Sequence, residues 1–237
     1  MPFPLGHPAA ILPFRRYCPR WCSLPALVVG SLVPDLSYCF GKIQLDELAH
    51  RAEGAVFFAL PVGLLCLAFF YGLRSRVARM LPSRVREIFL PLLEEPAVPI
   101  WVMASSVVLG AFTHVFLDSL THRDGWVVMH LPWLQTRIGE FLNHNVRIYQ
   151  VLWFACTLLG VGWLAMTYLR WVKDRTGSAR LSSALVRLGY ALGACMLVLA
   201  LALAHRLSAS SAFYLIIAGM LMAAGIFVFL TVKVSGR

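Results

Sequence analysis

The segment from Gly110 to His122, GAFTHVFLDSLTH, places His114, Asp118 and His122 at positions i, i+4 and i+8. At about 100° per residue the three fall within about 80° of one another on one helix face. Imidazole nitrogens and carboxylate oxygens are the donor set of zinc and related divalent ions at catalytic sites. A straight helix rises about 1.5 Å per residue, so His114 and His122 stand about 12 Å apart, too far for one ion to hold both. Asp118 lies midway, which suits a carboxylate bridging two ions about 3.5 to 4 Å apart, one held with His114 and the other reached by His122 or His50. Such a pair lowers the pKa of bound water and holds a phosphoryl or acyl oxygen opposite it. The alternative is a structural or proton-carrying His-Asp pair, since ionisable side chains within apolar segments also serve those roles.

The chain that must position this face has 237 residues, 59% of them hydrophobic and 14% charged, a composition outside that of soluble domains. About 20 apolar residues cross a bilayer. Segments of that kind run over 53–73, 98–120, 150–170, 187–205 and 212–232, with a shorter apolar piece at 24–40. The expected fold is all-α: a polytopic membrane bundle of five spans behind a short N-terminal helical hairpin. Residues 1–237 form one membrane-embedded domain, in which 1–52 hold the hairpin and a loop that contributes site residues, 53–149 a core helix pair and outer loop, and 150–237 three C-terminal spans.

A net charge of +10 in a soluble domain would suggest nucleic acid, but here the basic residues flank the spans. Topology and anionic lipid headgroups account for them, so membrane lipids are the expected partners and no nucleic-acid binding is expected. Arg74, Arg76, Arg79, Arg84 and Arg86 mark one cytoplasmic loop, and Arg170, Lys173, Arg175, Arg180 and Arg187 a second. Lys233 and Arg237 then fall on the same side. The Arg15, Arg16 and Arg20 cluster followed by SLPALVVGSLV imitates a signal peptide but meets Pro34-Asp35 rather than a small-residue cleavage site, so it is read as uncleaved. Cys18 and Cys22 form CxxxC, not the CxxC of redox or zinc sites.

With that topology, His7, Asp35, His50, Glu53, His114, Asp118 and His122 converge on the non-cytoplasmic ends of separate helices. In a hairpin of two short helices the open end brings His7 next to Asp35. Taken without topology, His-Pro and Pro-Asp are ordinary helix punctuation. Convergence makes His7, Asp35, His50, His114, Asp118 and His122 the candidate metal ligands, with Asp118, His114 and Asp35 the candidate catalytic residues. Arg51 and Arg123 on the same side are candidates to clamp an anionic substrate, because guanidinium pairs bidentately with phosphate. The loop 121–149 is the expected rim. HExxH, GxSxG and a glycine-rich phosphate loop are all absent from the sequence.

The start MPFPLGHPAAILPFRR, the segment GSLVPDLSY, the Gly110 to His122 pattern and LPWLQT at 131–136 resemble a family of bacterial integral membrane proteins known as a domain of unknown function. The resemblance covers most of the chain and implies a bacterial inner membrane, without an activity. More distantly, the order His, Pro-Asp, His, then HxxxD is similar to inner-membrane metal-dependent hydrolases, and through them to the zinc-dependent phospholipase C and P1 nuclease fold. That resemblance implies zinc ligation by His7, Asp35, His50, His114, Asp118 and His122, with Asp118 as the bridging carboxylate. The closing His-x-x-x-Asp/Glu pair has no counterpart, since His144 is followed at the fourth position by Ile148. Two ions are therefore expected rather than three. The expected function is hydrolysis of a phosphoester, such as a phospholipid or lipid-linked substrate, at the outer membrane face. The competing expectation is a non-catalytic membrane protein whose cluster binds an ion for structure or transport.

Overall fold

The computed structural model describes residues 4–17, 21–81, 83–94, 96–141 and 144–176. The expected spans at 187–205 and 212–232 lie outside the described residues. The chain divides into two compact units, one of residues 1–72 with 96–166 and one of 73–95 with 167–237.

The first unit is built from helices that enter and leave in short pieces. A 3-10 turn Pro4–Ile11 runs into helix α1, Leu12–Tyr17. Helix α2, Leu24–Leu32, begins with Pro25 in its first turn, where a missing N–H costs nothing. It tightens at Pro34 into a 3-10 segment, Val33–Phe40, which ends on Gly41 at φ 63. Helix α3, Ile43–Ala49, leads into a π-helical turn, Ala55–Ala59, continuous with helix α4, Leu60–Met80. Helix α6, Ile100–Thr121, is followed by the short helix α7, Trp126–His130, and then by helix α8, Ile148–Thr176. Helix α5, Ser83–Leu93, belongs to the second unit, where the Arg86 guanidinium donates to the carbonyls of Ala78, Arg79 and Leu81 and so caps the end of α4.

Among the described residues, three helices are long and apolar enough to cross a membrane: Ala55–Met80, Ile100–Thr121 and Ile148–Arg175. At about 1.5 Å per residue, each exceeds the roughly 30 Å of a hydrocarbon core. Phe69, Phe116 and Leu159 on these helices are exposed, as expected of surfaces that meet lipid. The protein is mostly helical, with a single two-stranded antiparallel sheet among the described residues. Its strands β1, Arg137–Phe141, and β2, His144–Arg147, lie in the loop expected only as a rim. A register shift between Arg137 and Gly139 bulges the first strand, which hides the strict alternation that marks a strand in sequence.

The framework of the first unit is the crossing of α2 with α6. A Cβ at Gly30 would collide with the backbone carbonyl of Val107, and one at Gly110 with that of Leu27, so these two positions must be glycine for the helix backbones to touch. The backbone N–H of Ser23 donates to the Ser106 hydroxyl at 2.9 Å, fixing the start of α2 along α6. Ala26, Leu67 and Val107 pack at the crossing, and Val33, Ala55, Phe58 and Ala111 form a second layer towards the site. The N-terminal turn lies against α8, where a Cβ at Gly160 would come within 2.8 Å of the Gly6 carbonyl oxygen. Gly110→Val should therefore cost about 1 to 3 kcal/mol or more through forced separation of α2 and α6. Gly72→Ala, where nothing lies within 4 Å, should be neutral or stabilising. Thermal unfolding of the two variants in detergent checks the contrast.

Candidate metal centre

Asp118 and His114 stand one turn apart near the end of α6, with the second layer of the core beneath them. The Gly30–Gly110 contact brings the end of α2 alongside, and the 3-10 turn beginning at Val33 aims the carboxylate of Asp35 at the same point. His50 is the C-terminal cap residue of α3. His7 arrives on the N-terminal turn packed against α2, α6 and α8. His7 and His114 are fully buried, and Asp35 and Asp118 are buried. The rings of His7 and His114 stack with centroids 3.8 Å apart.

The polar atoms of these five side chains face one another. His114 Nε2 lies 3.3 Å from Asp118 Oδ2 and 3.4 Å from Asp35 Oδ1. His50 Nε2 lies 3.5 Å from the same Asp35 oxygen and 3.7 Å from the same Asp118 oxygen. The other oxygen of Asp118 is 3.6 Å from His7 Nε2. These separations exceed the roughly 2.7 to 2.9 Å of a charge-assisted hydrogen bond. Both ring nitrogens of His7, both oxygens of Asp35, Nε2 of His50 and His114 and Oδ1 of Asp118 are buried without a hydrogen-bond partner. So many orphaned atoms would be costly if nothing sat between them.

A divalent cation would resolve the arrangement. Ligand atoms about 2.0 to 2.1 Å from a tetrahedral ion lie about 3.3 to 3.4 Å from each other, close to the spacing found here. Two overlapping groups have donor atoms within 4.8 Å of one another, His7 with Asp35 and His114, and His50 with His114 and Asp118. The outward ring nitrogens are already committed. His114 Nδ1–H donates to the Ser31 carbonyl at 2.8 Å and His50 Nδ1–H to the Asp46 carbonyl at 2.9 Å. Each proton is thereby fixed on Nδ1 and each Nε2 lone pair turned inward, the arrangement found around metal-ligating histidines.

Electrostatics outside the spans agree. Burial, reinforced by the neighbouring His114 ring, pushes His7 down to about 3 and keeps it neutral, as a ligand must be. Burial works to raise Asp35, but the His114 and His50 rings outweigh it and hold the carboxyl at about 2. Burial works to lower His50, but Asp35 and Asp46 outweigh it and raise the ring to about 10. The buried carboxylates thus require positive charge nearby, which either a proton on His50 or a bound cation supplies.

The structure brings together His7, Asp35, His50, His114 and Asp118, five of the six ligands expected from sequence. His122 stands apart from the two donor groups. It caps α6, where its Nδ1–H donates to the Asp118 carbonyl at 3.0 Å, and that nitrogen lies 3.6 Å from Asp118 Oδ1. Its side chain is 26% exposed and that of His50 18%, so these two mark the side of the cluster nearest solvent. His50 shares an Asp118 oxygen with His114, while His7 and His122 each lie 3.6 Å from the other oxygen. His7 is brought there by the N-terminal turn. Arg51 is exposed and 3.7 Å from Glu47; Arg123 and Glu53 are exposed. Arg137 is paired with Glu140 at 2.7 Å. Ser37, Tyr38 and Asp46, which surround His50, were not expected; the signal for Tyr38 is its place one 3-10 turn after Asp35.

Replacing His114 or Asp118 with Ala should reduce bound zinc to background in the purified protein, while His130→Ala, at an exposed ring, should leave it unchanged; elemental analysis reads both. Because a metal must displace the proton that the neighbouring carboxylates favour on His50, apparent zinc affinity should rise with pH in a competition titration.

A family model described as "Domain of unknown function (DUF4184)" matches residues 1–235. No curated protein and no solved structure matches the chain.

Proposed function

The chain belongs to the DUF4184 family, and from the geometry of its site we propose that it is a membrane-embedded, metal-dependent hydrolase that acts on a phosphoester at the non-cytoplasmic face of a bacterial inner membrane. The observation that carries this reading is the set of orphaned, inward-facing donor atoms on His7, Asp35, His50, His114 and Asp118. Asp35, His50, His114 and one oxygen of Asp118 would hold one divalent ion, zinc by its nitrogen and oxygen donors. The other Asp118 oxygen and His7 would contribute to a second. Bound there, the metal supplies a water of lowered pKa and a Lewis-acid contact for a phosphoryl oxygen.

The chain's own residues do the rest. Ser31 and Asp46 carbonyls orient the two imidazoles, and the packed walls of α2 and α6 exclude bulk water from the carboxylates. Substrate approaches past His50 and His122. Arg51 and Arg123, each the next residue in the chain after one of those histidines, can pair with a phosphate from outside. The adjoining spans favour a lipid or lipid-linked phosphoester.

One observation favours a second reading, an ion bound for structure or transport. Four protein donors around one point can fill a tetrahedral shell, as in closed structural zinc sites. The purified protein loaded with zinc should cleave at least one member of a panel of phospholipids and nucleotides, and Asp118→Asn should bring that cleavage to background. Bound zinc with no cleavage across the panel would favour the second reading, and no bound metal would sink both.

The basic residues beside the spans support a cytoplasmic position for residues 74–86. In a background without native cysteines, Ser75→Cys should resist an impermeant thiol reagent in intact cells and Thr136→Cys should react. The reverse labelling would overturn the orientation and leave the cluster untouched.

A further inference from the structure

We propose that the carboxylate of Asp46, which lies outside the cluster, is a positioning group that holds the angle of His50 and so strengthens the hold of the cluster on a divalent cation. The inference rests on the metal reading above and extends it one layer outward. Asp46 lies in the first turn of α3, one helical turn before His50, which caps the end of that helix. Its carbonyl accepts from His50 Nδ1 at 2.9 Å, and its carboxylate oxygen Oδ1 lies 3.3 Å from the same nitrogen. That Oδ1 is in turn held by the Ser37 hydroxyl, which donates to it at 2.8 Å from the 3-10 segment that also carries Asp35.

An acidic residue four positions before a histidine is by itself an ordinary helix pair. What sets Asp46 apart is Ser37. The hydroxyls of Ser31, Ser105, Ser106, Thr113, Ser119 and Thr121 each donate to a carbonyl three or four residues back in their own helix. The buried Ser37 instead reaches out of its own segment to the carboxylate behind His50. The order Ser37, Asp46, His50 therefore ends on an Nε2 turned into the cluster, where it is buried without a hydrogen-bond partner. The Nδ1–H given to the Asp46 carbonyl sets the tautomer, and the carboxylate 3.3 Å from the same nitrogen adds negative charge that steadies the ring and strengthens it as a donor. It also links the strand of chain carrying Asp35 to the one carrying His50, so that two ligands share one support.

The test uses the full chain in detergent, with zinc for affinity and cobalt(II) for its visible spectrum, on wild type, Asp46→Ala, Asp46→Asn and Ser37→Ala. Asp46→Ala should weaken zinc binding by about 10- to 100-fold and shift the cobalt bands, with the unfolding temperature of the metal-free protein unchanged. Asp46→Asn keeps an oxygen acceptor in place and should restore the bands towards wild type while recovering part of the affinity. Ser37→Ala should move both readouts in the same direction as Asp46→Ala by less, and it carries the test should Asp46→Ala fail to fold. Zinc affinity within about fivefold of wild type in Asp46→Ala, or in Ser37→Ala as its replacement, with unshifted cobalt bands, overturns the role of Asp46 and leaves the metal site standing. A wild type that takes up neither zinc nor cobalt overturns both.

Discussion

Two carboxylates, Asp35 and Asp118, are buried within reach of the same two imidazole nitrogens, and most other features of the first unit follow from that constraint. Burying an uncompensated carboxylate costs several kcal/mol, and burying two side by side adds their repulsion. Three histidines surround them with ring nitrogens. Burial holds His7 neutral, whereas at His50 the neighbouring carboxylates outweigh burial and raise the ring. The orphaned polar atoms of such a site could be satisfied by a cation from outside.

Glycine and proline arrange the backbone for that site. Gly30 and Gly110 let α2 and α6 approach until backbone meets backbone, which places the end of α2 beside Asp118. Pro34 then tightens the chain into a 3-10 turn, changing the residue period from about 3.6 to about 3 and rotating Asp35 to the inside. The π-helical turn at Ala55–Ala59 buries three small or aromatic side chains against Val33 and Ala111, directly after the turn that carries His50. Apolar packing fixes every element that delivers a ligand, so the cluster is held by its scaffold even before an ion is added.

Much of this was legible in sequence because it depends on regular periods. The face of His114 and Asp118 follows from helix spacing alone, and the approach of His7 to Asp35 follows from the direction of a short hairpin. Five of six expected ligands meet on that logic. The pairing of individual atoms was not legible, since it depends on a 3-10 turn and on which ring nitrogen each backbone carbonyl claims. His122 illustrates the limit: it shares the helix face of Asp118 in projection, yet it sits at the cap, where its Nδ1 is drawn to a backbone carbonyl instead. The β1–β2 hairpin was hidden for a similar reason, its bulge breaking the alternation that would have announced it.

The meeting of His7 with Asp118 joins positions 111 residues apart, 118 less 7. For a flexible chain, closing a loop of that length costs about 4 kcal/mol of entropy. A cation shared by the two ends would act as a clasp on this loop, one that could close only after α6 has been synthesised and inserted. During biogenesis the N-terminal turn must therefore wait, unpaired, for a helix made more than a hundred residues later. With such a clasp, metal supply at the moment of insertion would govern how much of the protein matures, apart from anything the metal does once the fold is complete.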